Sequence, residues 1–593
     1  MTTPPRWDLR DLFDSPQDPA IDTTLATATA EAQSLVRDYK GKLADLSADQ
    51  IRDLLERYER IVQTADKPEN YAFLRYTTDV SDPAREGFLR LMRERVLQVE
   101  NELVWVKLEL AQLPSERFAS LVTAPETARY HHYLENISLA KRHQLPEAEE
   151  RLLADLQQTG REAFYALFEQ EDATKAFEVN GVLCTLETLL HNQTNSDRRV
   201  RAEAAEAIGK GLGDDALRRS FIYTTIIKDK AMTDRYRRYE FPEQLRHQTN
   251  EISPAAVEAL AESVEAYREL FQRYYTWKAK HLGLEKLTEY DLYAPLATVE
   301  KTYTFAEARE CVLKAFHAFS PKMAEIASLF FEHQWIDAEP SAGKQSGAYC
   351  QFMTADLHPY VFLNFQGKIS DVLTLAHELG HAIHTMLARP RGELQFTTPL
   401  TLAETASTFS EMLVFDALRR ELTDPKERMA FHASKIEEIF ATVFRQINYY
   451  RFEQSAHRFV REHGYAAPEQ YQTLWIDATK SLFGEAIDIS PGYRHSWSRI
   501  SHFFDREFYV YAYAFGELIT CCLYEESLLN PAGFQENYLE LLSQGGTKSP
   551  KELLAPIGLD PESTKTWIRG LEWIKRLVDE TTADTSSHET TTL

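Results

Sequence analysis

Residues 370–387 read SDVLTLAHELGHAIHTML and carry two patterns at once. Val372, Leu375, Ala376, Leu379, Ile383, Met386 and Leu387 recur at helical spacing and gather on one side of a helical wheel, with Ser370 as the candidate N-cap. His377 and His381 fall on the other side, four residues apart, so a helix projects both imidazoles from one face. Glu378 flanks that stripe. The segment is thus predicted to be a helix that does not bury its histidines with its apolar residues.

The HExxH spacing is what a tetrahedral metal on a helix requires. Two imidazoles converge on one ion, and the glutamate between them stands beside it as a base for water. A catalytic zinc also needs a third protein ligand and one position left for water. Glu393, Glu404 and Glu411 are the first glutamates that follow. Glu393 lies in the connecting stretch RPRGELQFTTP, whereas Glu404 and Glu411 lie in TLAETASTFSEMLVF, a helical pattern that puts both on one face. A second helix crossing the first could bring Glu404 to the ion and Glu411 behind it, orienting a histidine. Thr401 and Glu404 also spell a capping box, which would turn that carboxylate to a helix start instead. A three-histidine site would need Gly at 384 and His at 387, but the chain has His384 and Leu387, so His384 is assigned behind the ligands or to the lining of the cleft.

Such a site predicts hydrolysis. The ion lowers the pKa of water toward about 7 and polarises a carbonyl, while Glu378 takes the proton and returns it to the leaving amine. A developing oxyanion needs a further donor. The stretch HFFDREFYVYAYAFG offers His502, Tyr509, Tyr511 and Tyr513, although an aromatic stripe is also what a core helix shows.

Helical signals run along the rest of the chain. Ser47 and Gln50 form a capping-box pattern before Ile51, Leu54, Leu55, Tyr58, Ile61 and Val62, and Ser253 with Pro254 opens a stripe that reaches Phe271. The exception is Tyr349 to Phe365, where AYCQFM and PYVFLNF flank the turn-like TADLHP, predicting a small hairpin or sheet edge. An exposed edge there could take an extended peptide as an added strand, or be purely structural. No fixed-period repeat is present, and the Thr- and Ser-rich end from Thr581 to Leu593 is expected to be disordered.

The formal charge of -25 repels phosphate backbones and anionic lipid, so neither nucleic acid nor a membrane is an expected partner. The five cysteines are odd in number and lack a CxxC pair, which reads as reduced thiols. The N-terminal MTTPPRWDLRDLF has no apolar signal core and no stretch suits a bilayer span, giving a soluble, cytoplasmic expectation.

Four blocks, SGAYCQF from Ser346, LAHELGHAIH from Leu375, LAETASTFSE from Leu402 and WSRISHFFDREFYVYAYAFGE from Trp497, resemble the thimet oligopeptidase family, most closely its oligoendopeptidase F branch. The resemblance spans roughly residues 196–580 and implies a mainly α, zincin-type helical ellipsoid with a deep channel and a small β-sheet beside the active-site helix. It implies an endopeptidase for short unstructured oligopeptides, one Zn²⁺ per chain on His377, His381 and Glu404, and a substrate-holding edge strand at Gly347, Ala348 and Tyr349. By the same carry-over His502 and Tyr511, with Tyr509 as the neighbouring choice, stabilise the tetrahedral intermediate. The stretch Phe503 to Phe508 lacks the glycines that thimet-type members have there, which fits the F branch and loosens the tyrosine register. The implied division is an N-terminal helical region at 1–112, an oligopeptidase F-like N-terminal domain at 113–195, a catalytic domain at 196–580 and a tail at 581–593. An HExxH carboxypeptidase and a non-catalytic helical scaffold are the competing readings. The HAIH continuation and ETAS block favour the endopeptidase, and the complete set of motif residues speaks against a scaffold. The sequence leaves the oligomeric state open.

Overall fold

The computed structural model describes residues 4–297 and 301–583. Helices dominate, and each described strand is two or three residues long. The chain forms two compact units that interleave along the sequence. One comprises Met1–Arg142, Lys301–Glu421 and Glu526–Leu559, the other His143–Glu300, Leu422–Glu525 and Asp560–Leu593.

In the first unit, the long helix Ala48–Thr77 starts as its sequence dictates. The Ser47 hydroxyl accepts from the Gln50 N–H, and the Gln50 side chain accepts from the Ser47 N–H. Its apolar stripe, Ile51, Leu54, Leu55 and Ile61, is buried with Leu35, Val106, Leu110 and Leu121 from neighbouring helices. Each such aliphatic side chain contributes about 1.5–3 kcal/mol on burial, so the stripe fixes how this helix docks.

The expected hairpin forms, and a third strand joins it. Tyr360–Phe362 runs antiparallel to Tyr349–Gln351 and parallel to Ile336–Asp337, so Tyr360–Phe362 is central and Tyr349–Gln351 lies at an edge. The central strand is fully buried, as an apolar YVF should be. Lys344 fastens the loop between the first two strands. Its ammonium lies 2.5 Å from Asp337 Oδ1 and also donates to the carbonyl of Leu363. This sheet packs against the helix Ile369–Ala388.

The second unit is helical around a dense aromatic core that includes Tyr223, Tyr471, Trp475, Trp497 and Phe503. The single stripe predicted from Ser253 to Phe271 is broken. Helix Pro254–Ala266 ends at Tyr267, whose φ of -100° and ψ of 14° start a new direction for Arg268–His281. Gly209 and Gly492 let the helix Arg198–Asp214 touch the 3₁₀ helix Pro491–Arg499, since a Cβ on Gly209 would lie 2.6 Å from the Gly492 Cα.

The last helix, Thr564–Ala583, carries through three residues assigned to the tail. Its stripe of Trp567, Leu571, Ile574, Leu577 and Val578 extends to the buried Thr581, whose hydroxyl donates to the Leu577 carbonyl. Residues 584–593 of the expected tail lie outside the described residues. Among the described residues no helix is long and apolar enough to cross a membrane, and all five cysteines are free thiols.

Candidate metal centre

The HExxH helix spans Ile369–Ala388, and its start differs in detail from the sequence reading. Ser370 lies inside the first turn. Asp371 takes the capping role instead, its Oδ2 accepting from the backbone N–H groups of Gln366 at 2.7 Å and Lys368 at 3.0 Å. Val372, Leu375, Ala376, Leu379 and Ile383 are fully buried, as the stripe required.

Gly380 decides how the second helix meets the first. A Cβ there would lie 2.5 Å from the Ala406 carbonyl oxygen and 2.6 Å from the Ser407 Cα, so only glycine permits this approach. The partner segment consists of a short helix, Leu400–Ala403, and the longer Thr405–Glu421, with Glu404 at the junction between them. Phe409 anchors the longer helix against Phe319 and Tyr538, with ring centroids 5.0 and 4.3 Å away.

This packing brings three ligand-type side chains together. His377 Nε2 and His381 Nε2 each stand 3.3 Å from Glu404 Oε2, and one atom from each of the three residues lies within 4.8 Å of the others. Ligand atoms about 2.0–2.1 Å from a tetrahedral ion stand roughly 3.3–3.4 Å apart, the spacing of each imidazole nitrogen from the Glu404 oxygen, so the donor set is of the kind that holds a metal. The Ser407 hydroxyl donates to the same Glu404 oxygen at 2.9 Å. Behind the ligands, His377 Nδ1 lies 3.3 Å from Glu411 Oε2. That contact holds the ring so that Nε2 is the nitrogen turned to Glu404.

Electrostatics bind the group together. Burial opposes a charge on His377, but Glu404 and Glu411 outweigh it and push its pKa up to about 10. Burial would raise Glu404, yet the two imidazoles hold it far below the usual carboxylate range. Glu378, 6% exposed, makes no hydrogen bond among the described residues. Burial raises its proton affinity, and the neighbouring histidines offset part of that. A buried carboxylate of this kind, beside a metal-ligand set, is equipped to accept a proton and release it again.

The remaining expected residues divide. Glu393 stands apart from the metal set, accepting from the Ala355 N–H at 2.8 Å. His384 is buried, and its Nε2 meets no partner among the described residues. Burial and the nearby His381 push its pKa down to about 3, so it is a neutral imidazole in the helix interior. Tyr349 is in the edge strand, while Gly347 and Ala348 precede it, Gly347 with φ of 86°. The Tyr349 ring stacks on Phe362 at 4.8 Å and its hydroxyl bonds the Thr77 hydroxyl at 2.7 Å, so its side chain serves packing.

In the second unit, Tyr511 does not join His502. It is fully buried, its hydroxyl receiving a hydrogen bond from Asn250 Nδ2 at 2.9 Å and meeting His247 Nδ1 at 3.0 Å. A hydroxyl engaged in the interior is not free to serve a reacting group, which corrects the choice of Tyr511. His502 groups with Tyr509, stacked at 5.4 Å, and with Tyr513, whose hydroxyl lies 3.1 Å from His502 Nε2. All three rings are partly exposed. Tyr509 precedes the helix Tyr511–Leu529, whose first residue, Tyr511, turns inward, so no local spacing in the sequence marked Tyr513 as the partner of His502. Gly380, too, went unremarked in the sequence.

Comparison with known proteins places the chain in a family. The profile of Peptidase family M3 matches residues 192–573, and that of Oligopeptidase F matches 109–177. Oligopeptidase PepF of Bacillus subtilis (strain 168) is 26% identical over 583 residues, covering 97% of this chain and 86% of its own. The chromosomal oligoendopeptidase F of Lactococcus lactis subsp. cremoris is 26% identical over 591 residues, 97% of each chain. The solved oligoendopeptidase-F of Enterococcus faecium shares the fold with a TM-score of 0.71 at 22% identity, over 96% of this chain and 99% of that one. With the profile spanning well over half its length, including the HExxH helix and its crossing partner, the chain belongs to Peptidase family M3 and is a metalloendopeptidase.

Proposed function

We propose that this protein is a zinc-dependent oligoendopeptidase that hydrolyses internal bonds of short, unstructured peptides, with one Zn²⁺ held by His377, His381 and Glu404. The observation that carries the reading is the 3.3 Å spacing of both imidazole nitrogens from one Glu404 oxygen, beside the buried Glu378. Nitrogen and carboxylate donors in a tetrahedral spacing suit zinc, which lacks a d-electron geometric preference. When bound, the ion supplies Lewis acidity, polarising a carbonyl and lowering the pKa of water toward about 7.

The chain's own groups do the proton work. Glu378 accepts the proton of the attacking water, and its raised proton affinity in the buried site suits it to hold that proton until the amine departs. Glu411 keeps the His377 ring oriented through Nδ1. His502 and Tyr509 are the proposed donors to the developing oxyanion, a role carried over from the resemblance, and Tyr513 joins them through its 3.1 Å contact with His502 Nε2. The edge position of Tyr349–Gln351 supports backbone pairing with an extended peptide, with Gly347 and Ala348 at its entry. Cytoplasmic action is part of the same proposal, and the five free cysteines suit a reducing compartment.

The test is Glu378→Gln. Zinc content after dialysis should match the wild type, while turnover of a peptide blocked at both ends should fall by at least roughly 10²–10⁴-fold. An active Glu378→Gln variant would remove Glu378 from the reaction. A wild type that cleaves only free-ended peptides, one residue at a time, would favour the carboxypeptidase reading.

A further inference from the structure

The second unit contains a cavity of about 50 Å³, walled by the helices Arg268–His281, Phe444–His463 and Pro468–Phe483 and by the 3₁₀ helix Pro491–Arg499. A single water occupies roughly 10–15 Å³ on this measure, so the space suits a small ion or a few waters. Arg445, Arg499, Tyr275, Tyr293, Tyr449 and Tyr493 line it.

The charges around this space do not balance. Arg445 Nη1 donates to the Tyr293 hydroxyl, and the guanidinium lies 5.7 Å from the Tyr293 ring centroid and 6.0 Å from that of Tyr449. Its Nε is buried and meets no acceptor. Neither Arg445 nor Arg499 forms an ion pair among the described residues. Of the nearby carboxylates, Glu289 lines the cavity, while Asp291 and Glu437 pair with cations outside it. Glu289 accepts from the Ser490 N–H and hydroxyl, Asp291 pairs with Arg198 and Arg201, and Glu437 lies 2.6 Å from Lys278. Among the residues that line the cavity, two cations, Arg445 and Arg499, therefore face one carboxylate, Glu289, an excess of one positive charge. A partly buried guanidinium left without an anion is costly, because the protein replaces much of water's solvation with nothing of opposite sign. The tyrosine rings supply further donors, since burial holds the Tyr275 and Tyr493 phenols protonated well above their ordinary range.

We propose that this cavity binds one small monovalent inorganic anion, of the size and charge of chloride, held by the guanidinium groups of Arg445 and Arg499 with tyrosine hydroxyls completing its shell. Hydrogen phosphate, with four oxygens and about two charges, would overfill both the space and the charge deficit. An anion here ties Pro491–Arg499 to three helices of the unit, so its signature is stability that depends on which anion is present.

Two measurements on the intact protein decide it. Crystals of the wild type in bromide, measured at the bromine edge, should show an anomalous peak in the cavity at contact distance from Arg445 and Arg499. Unfolding followed in sodium chloride and in sodium gluconate at equal ionic strength should differ saturably. At chloride 100 times its Kd, the folded-to-unfolded ratio gains about 100-fold. Arg499→Gln, at a partly exposed position, should fold and lose the chloride-specific part. No bromide in the cavity, or identical unfolding in the two salts, overturns the proposal whatever any variant does.

Discussion

Replacing Gly380 with alanine adds one methyl group at the point where the two site helices touch. That Cβ would stand 2.5 Å from the Ala406 carbonyl oxygen and 2.6 Å from the Ser407 Cα, both backbone atoms that cannot swing aside. Carbon contacts settle at about 3.5–4.0 Å, so the helices must part by about 1 Å. A metal site tolerates shifts of only ~0.2 Å in its ligand distances, and Glu404 and Glu411 both ride on the displaced segment. Overpacking of this kind typically costs 1–3 kcal/mol, and the rigidity of the obstacle puts this case at about 3 kcal/mol. Metal affinity should fall by at least the roughly 10–100-fold seen when an outer-shell partner is lost. Chelator competition gives the affinity, and unfolding of the metal-free form gives the packing cost separately. Gly87→Ala serves as the control. A Cβ on that exposed helical glycine would meet nothing within 4 Å, so the variant should gain about 0.5–1 kcal/mol. If Gly380→Ala keeps wild-type stability and affinity, the close approach does not set the ligand geometry.

Glu404→Gln should lower zinc affinity more than Glu411→Gln, which should cost about 10–100-fold through ring orientation, as read by chelator competition; equal and negligible losses would return Glu404 to the capping role. Tyr513→Phe should lower kcat against a blocked peptide, whereas Tyr511→Phe should leave kcat near wild type and cost about 1–3 kcal/mol of stability, because Asn250 and His247 lose a buried partner. The reverse ranking would restore Tyr511 to the chemistry. Burial pushes His247 down to about 4 from an ordinary 6.5, so the unfolded chain binds this proton first and stability is lost as pH falls through that window. The loss from pH 7 to 5 is about 2 kcal/mol from this residue, and denaturant unfolding of His247→Gln at both pH values should show a correspondingly flatter dependence.

The candidate ligand set was legible because its spacing obeys local rules. His381 follows His377 by four residues of one helix, so their common face follows from helix periodicity alone, whereas Glu404 stands at the junction before the helix that carries Glu411. The apolar stripe from Val372 to Ile383, the Ser47–Gln50 box and the hairpin from Tyr349 to Phe362 were readable for the same reason. Local patterns misled where competing partners were out of view. Asp371 displaced Ser370 from the cap, and Tyr267 broke a stripe that composition carried straight through.

Residue chemistry and helical spacing thus determined, from sequence, that two imidazoles and a glutamate could share an ion. Only the tertiary structure decided that the Glu404 carboxylate turns to the two imidazoles rather than to a helix start, that Tyr513 rather than Tyr511 stands beside His502, and that a third strand flanks the hairpin. These outcomes turn on which distant backbone or side chain arrives, at Gly380 from Ala406 and at Tyr511 from Asn250. Periodicity specifies the face a side chain occupies, whereas packing between segments far apart in the chain specifies what that face meets.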